Sequence, residues 1–290
     1  MSFDAKTETT CPVCECLVRA IFKKGNYEYC KCPECGTVGA YPTPNDEELK
    51  DHYSNARNYQ TLKIHEEKYR AIYERTARFL KSVIESKNGS AGFQGSAVLD
   101  IGCFTGGFVK ELLDLGANAY GYDPYVKPEH ITDANLEKRI LRNQADLENI
   151  QKKIDCISLL GVIEHLREPI QFLSFCHKTT TDNGVIFIQT PDCESIAAKL
   201  MGKHFFAYQP VEHIYVFSRR GLVKALNRMG FTDVKVCHQW KFLTVSYVYE
   251  QLATWGKGFQ WLMWPLNKLF PNLVFPFYGG GITVSASKKL

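Results

Sequence analysis

The sequence predicts an α/β protein in which a mostly parallel sheet, covered by helices on both faces, follows a small cysteine-stapled ribbon. Three observations carry this. Six of the eleven cysteines fall between Cys11 and Cys35. From Ala97 onward, short apolar runs alternate with helical segments, the pattern of strands buried by crossover helices. The chain is 45% hydrophobic and 13% aromatic over 290 residues, ample for a core and for about two domains at roughly 150 residues each.

The ribbon comes first. Cys11-Pro-Val-Cys14 and Cys32-Pro-Glu-Cys35 are two knuckles with two-residue spacers, separated by residues 15–31. A two-residue spacer lets both thiolates of a knuckle face one ion, and two knuckles complete a closed tetrahedral shell of four sulfurs. Structural zinc on Cys11, Cys14, Cys32 and Cys35 is therefore expected, supplying folding free energy to a segment too short for its own core. Cys16 and Cys30 each lie two residues from a ligand and could substitute for it. Cys103, Cys156, Cys176, Cys193 and Cys237 mostly occupy apolar runs and read as core. So many reduced cysteines suit a cytoplasmic protein.

Tyr41-Pro-Thr-Pro-Asn45 is a turn-rich break, giving a ribbon over 1–44 and a helical linker over 45–92. Tyr69, Ile72, Tyr73, Phe79, Leu80, Val83 and Ile84 recur at three and four, and Asn88-Gly89 stops the helix. The main domain spans 93–290. Its strands read as Ala97–Asp100, Asn118–Asp123, Ile154–Leu160 and Val185–Gln189, then Thr232–Cys237 and Ile282–Ser287. Ser218 precedes a helix ended by Gly230. Residues 238–281 hold all four tryptophans (Trp240, Trp255, Trp261 and Trp264) and read as an aromatic insertion. It could cap a pocket, form a homodimer contact or touch a membrane surface.

Charge narrows the partners. The 35 Lys+Arg against 31 Asp+Glu leave +4, short of the dense positive field of a phosphate-neutralising domain, so nucleic acid is not the favoured partner. The first ten residues lack the apolar core of a secretory signal. Trp261–Tyr278 is broken by Pro265, Lys268, Pro271 and Pro276, which rules out an uninterrupted spanning helix there. A soluble chain is expected.

Val98-Leu-Asp100-Ile-Gly102-Cys103-Phe104-Thr-Gly106-Gly107 leaves a predicted strand and opens a helix. Glycine is needed where backbone must turn sharply and approach a ligand. The pyrophosphate spacing G-x-G-x-x-G is absent. Asp123 ends the next strand, where an acid can accept hydrogen bonds from both ribose hydroxyls or merely cap the turn before Pro124.

These residues resemble motif I and its neighbouring acid in the class I S-adenosylmethionine-dependent methyltransferases. Asp100, Gly102 and Gly106 match, and Phe104 stands where the middle glycine belongs. The resemblance covers about Val98 to Cys237 plus the last strand. It implies a Rossmann-like, seven-stranded, mostly parallel sheet with S-adenosylmethionine held by Asp100, Gly102, Cys103, Phe104, Gly106 and Asp123. It further implies adenine contacts from Asp146 and Leu147, and Leu160 at the edge of the fourth strand. Glu164-His165-Leu166 is similar to the Glu-His of ubiquinone-pathway O-methyltransferases. Where those enzymes carry a further metal-holding glutamate, this chain has Gly161. Glu212-His213-Ile-Tyr-Val-Phe-Ser218 and Met229-Gly-Phe231 are similar to late segments of the same group. The ribbon resembles that of bacterial small-molecule methyltransferases of glycan or natural-product pathways.

A sulfonium methyl is already electrophilic, so the expected protein task is positioning and exclusion of water. A hydroxyl acceptor must lose a proton, and His165 or His213, with Glu212 beside it, is a candidate to take it. The expected function is methylation of a small-molecule acceptor, sugar or lipid-linked among the options, with oxygen the first choice of atom. Two rivals stand beside it: an rRNA or tRNA methyltransferase gripping RNA through the ribbon, and a non-catalytic S-adenosylmethionine-binding protein.

Overall fold

The computed structural model describes residues 9–45, 47–49, 57–89, 92–149, 154–246, 248–250 and 257–289. The segment expected to lack a secretory signal lies mostly outside them, as do parts of the helical linker expected over 45–92 and Trp255. In chain order the elements are β1 (Arg19–Lys24), β2 (Tyr27–Lys31), β3 (Val38–Tyr41), α1 (Arg57–Asn88), β4 (Ala97–Ile101), α2 (Gly107–Asp114), β5 (Asn118–Tyr122) and α3 (Ala134–Glu137). Next come β6 (Ile140–Leu141), α4 (Gln144–Asn149), β7 (Ile154–Leu160), α5 (Pro169–Thr179), β8 (Thr180–Pro191), α6 (Ile196–Met201) and β9 (Tyr215–Val216). The chain closes with α7 (Arg219–Arg228), β10 (Phe231–Thr244), α8 (Lys257–Leu269) and β11 (Val274–Lys288).

The expected seven-stranded sheet is present, in the order β10-β11-β8-β7-β4-β5-β6. Pairings from β8 through β6 are parallel. β11 runs antiparallel to both β8 and β10, so it alone is reversed. Strand periodicity divides the central strands between two apolar layers. Leu99, Ile157, Ile186 and Ile188 face α5 and α7 through Leu173, Cys176, Leu222 and Leu226. Val98, Cys156, Val185 and Phe187 face α1 and α2 through Ala77, Leu80, Ile84, Phe108 and Leu112. Leu99 is fully buried, and its truncation to alanine would cost about 2–5 kcal/mol.

The ribbon is joined to the main sheet's loops. β9 pairs with β3, Val38 against Val216 and Gly39 against Tyr215, completing a four-stranded sheet β1-β2-β3-β9. The α7 N-cap, Ser218, donates its hydroxyl to the Cys35 carbonyl and accepts the Gly221 N–H at 2.9 Å. Gly221 is required at this contact, because a Cβ there would sit 2.1 Å from Thr37 Oγ1. The ribbon expected over 1–44 therefore packs against β9 and the start of α7.

The aromatic insertion takes a definite form. Its two ends lengthen β10 and β11 beyond the sequence-predicted strands, pairing from Trp240 with Tyr278 to Thr244 with Val274, and α8 lies between them. Aromatic and β-branched residues suit a pleated surface, which explains the extension. Among the described residues, no helix is long and apolar enough to cross a membrane.

Candidate active site

The loop from β4 to α2 is shaped by positive φ angles: Gly102 at 69°, Phe104 at 54° and Gly106 at 84°. Phe104 thus adopts the left-handed backbone that glycine takes without steric cost, which accounts for the family's preference there. Gly102 is confined as well as turned, since a Cβ would lie 2.5 Å from Val162 Cγ2. Cys103 is buried, and a Cβ on Gly121 would meet its sulfur at 2.4 Å.

Asp123 ties this loop to β5. Its Oδ2 accepts the Phe104 N–H at 3.1 Å, while Oδ1 accepts the N–H groups of Tyr125 at 2.9 Å and Val126 at 3.2 Å. It therefore caps the turn and anchors the loop at once. Asp100 lies beneath, buried, accepting the Ser158 hydroxyl at 2.7 Å. Burial, with the nearby Asp123 charge adding to it, pushes its carboxyl up to about 7. Asp146 lies in the first turn of α4, where it accepts the Asn143 amide at 2.6 Å. Leu147 is packed into the core with Ile157 and Leu159.

Beside the loop, beyond the ends of β7 and β8, lies a cavity of about 390 Å³ lined by Tyr69, Tyr73, Leu160, Glu164, His165 and His213 among others. Glu164 is 2% exposed and accepts the Thr190 hydroxyl at 2.9 Å. The His165 and His213 rings meet edge to face at 4.8 Å. His165 Nδ1 pairs with the Glu212 carbonyl at 2.5 Å and His213 Nδ1 with the Ala207 carbonyl at 2.8 Å. A carbonyl oxygen only accepts, so each Nδ1 carries a proton, and a ring in its neutral form keeps Nε2 as its acceptor. Burial, then the neighbouring His165, pulls the His213 pKa below the ordinary histidine value, leaving it neutral near pH 7. Glu164, His165 and His213 offer ligand atoms all within 4.8 Å of one another, a set able to handle a proton or hold a divalent cation. Fixing each Nδ1 by a carbonyl suits either task.

Cys11, Cys14, Cys32 and Cys35 also gather, their sulfurs within 4.8 Å of one another. The Cys30 thiol faces the Glu28 carbonyl instead, while Cys16 lies 3.4 Å from Cys32, sulfur to sulfur.

The structure thus brings His165, His213, Glu212 and Leu160 to one cavity and ties Gly102, Cys103, Phe104 and Asp123 together beside it. Sequence reasoning passed over Glu164 as a site residue, along with Tyr69 and Tyr73 of α1 and Gln189 and Gln239, which also line the cavity. Tyrosines four apart on one helix face were the available signal for the first pair.

A family model described as a methyltransferase domain matches residues 65–236, more than half of the chain, and the chain belongs to that family. It is 32% identical over 149 residues to the tRNA U34 carboxymethyltransferase of Campylobacter jejuni subsp. doylei, covering 48% of this chain and 50% of that protein. It is 26% identical over 107 residues to the ubiquinone biosynthesis O-methyltransferase of Pseudomonas aeruginosa, covering 34% and 46%. The chain spans about half the length of the curated relatives it matches. The crystal structure of magnesium protoporphyrin IX methyltransferase from Synechocystis PCC 6803 with bound SAH shares the fold, with a TM-score of 0.52, 14% identity and coverage of 84% of this chain and 100% of that one.

Proposed function

We propose that the protein is an S-adenosylmethionine-dependent methyltransferase acting on a small-molecule acceptor, with oxygen as the acceptor atom. The observation carrying this is the adjacency of a glycine-shaped loop, pinned to Asp123 through the Phe104 N–H, and a cavity holding two oriented histidines.

The residues present suit the cofactor. Gly102 and Gly106 leave backbone bare where side chains would intrude, and Asp123 supplies a carboxylate for ribose hydroxyls. Asp146 and Leu147 would meet the adenine edge and ring, with Leu160 at the junction with the acceptor cavity. When bound, S-adenosylmethionine supplies a methyl group on a sulfonium. Four clustered sulfurs of Cys11, Cys14, Cys32 and Cys35 suit a closed structural zinc site.

The chain's own tasks are to orient the acceptor, exclude water and take a proton. His213 Nε2 is the base this reading assigns, because its ring is buried, neutral and fixed by Ala207. His165 lines the cavity beside it, and Glu212 positions His165 through its carbonyl. A cavity of about 390 Å³ matches a small ligand or the head of a larger one, and a net charge of +4 gives no dense phosphate-binding field.

Incubation of the full chain with methyl-tritiated S-adenosylmethionine and separate small-molecule, lipid and bulk tRNA extracts tests this reading. Label entering the small-molecule or lipid fraction is expected. Label confined to tRNA would overturn it.

A further inference from the structure

We propose that the lobe formed by α8 and the outer ends of β10 and β11 is a membrane-docking surface that settles into the headgroup layer of an anionic bilayer. The lobe begins where the cavity ends. Gln239 and Gly281 line the cavity and pair across the hairpin. The next rungs, from Trp240–Tyr278 to Thr244–Val274, lead out of the sheet toward α8.

The lobe is apolar and exposed. Trp261 is 77% exposed, and Trp264, Leu269, Phe270 and Leu273 are each at least half exposed. Trp261 and Trp264 are three apart on α8, and Lys268, one turn on, lies 5.0 Å from the Trp264 ring centroid. Tryptophan with lysine at its border is the composition of an interfacial helix, with the rings among the acyl boundary and the ammonium groups at the phosphates.

Charge selects the occupant. From Trp240 to Tyr278 the lobe holds one acid, Glu250, against Lys241, Lys257 and Lys268. The neighbouring helix α6, which packs on β11, has a similar cationic excess. It exposes Ile196 and Leu200, and residues 195–211 contain Lys199 and Lys203 without an acid. A second copy docked about a two-fold axis would set these cations against each other with Glu250 as the one carboxylate of the lobe to offset them. Anionic lipid pairs with all of them.

The inference does not depend on which atom is methylated. It does place the cavity at the root of the docked lobe, so that the head of a lipid-linked acceptor can enter while its tail stays in the bilayer.

The experiment is sedimentation of the full chain with vesicles of phosphatidylcholine alone and of phosphatidylcholine mixed with phosphatidylglycerol, at low and raised salt. Binding to the mixed vesicles, weakened by salt, is expected. It should fall about tenfold or more in Trp261→Ser/Trp264→Ser and in Lys257→Glu/Lys268→Glu, with calorimetric affinity for S-adenosylhomocysteine unchanged. The lysine variant keeps both tryptophans and decides the matter if the tryptophan variant fails to fold. Wild-type protein that binds S-adenosylhomocysteine but ignores both vesicle types overturns this inference alone. So does light scattering that shows a dimer broken by Trp261→Ser/Trp264→Ser.

Discussion

Replacing Gly102 by alanine tests the loop's geometry through two separable costs. With φ at 69°, an L-residue costs roughly 1–2 kcal/mol in the left-handed region. The new methyl would also stand 2.5 Å from Val162 Cγ2, an overlap whose relief costs about 1–3 kcal/mol. Gly102→Ala should therefore destabilise the fold by about 2–5 kcal/mol, a large part of the roughly 5–15 kcal/mol of a typical domain. Val162→Ala removes the clashing methyl and leaves the Val162 Cβ at 3.7 Å, ordinary contact. In the double variant the steric part should vanish and the conformational part remain, a coupling of about 1–3 kcal/mol. Urea unfolding of wild type, both singles and the double measures it. A Gly102→Ala protein within measurement error of wild type, or a cycle with no coupling, would refute the reasoning.

Three further outcomes are expected. Asp100, pushed up to about 7 by burial, holds more protons folded than unfolded between its unfolded pKa of about 4 and pH 7. Its contribution to stability is full below that unfolded value and is lost as pH rises to about 7, by about 4 kcal/mol, and Asp100→Asn should flatten the urea midpoint across that window. Cys35→Ser should lower zinc retained per chain in metal analysis, while Cys30→Ser, whose thiol faces Glu28, should not. With the true acceptor, kcat/KM should rise with pH through a pKa below the usual histidine value of about 6.5; His213→Gln should lose about 100-fold or more and that acid limb with it, and an unchanged limb would remove the base role.

The sheet was legible because its strands are short apolar runs between helices, but neither periodicity nor the resemblance, which implied only a mostly parallel sheet, named β11 as the reversed strand. The four ribbon sulfurs and the loop residues were legible because chemistry fixes their spacing. The joining of β3 to β9 was not, since Tyr215 and Val216 make a two-residue strand whose partner lies far away in sequence. Glu164 was seen only as half of a pair with His165. Its burial beside His213 depends on the long-range fold, which brings the loop ahead of β9 onto the end of β7. Tyr69 and Tyr73 read as packing residues because helical periodicity reports a buried face without revealing that part of it borders a cavity. The extension of β10 and β11 was hidden by the prolines and tryptophans that made 238–281 resemble an insertion.

Calorimetric titration of the full chain with S-adenosylhomocysteine, beside Asp123→Asn, tests the central claim most directly. Asp123 joins the glycine loop to β5 through hydrogen bonds from Phe104, Tyr125 and Val126, and a charge-assisted hydrogen bond is worth about 1.5–3 kcal/mol. The wild type should bind at a single site, and the variant about 10- to 150-fold more weakly. No binding by wild-type protein, or equal affinity in the variant, would contradict the account.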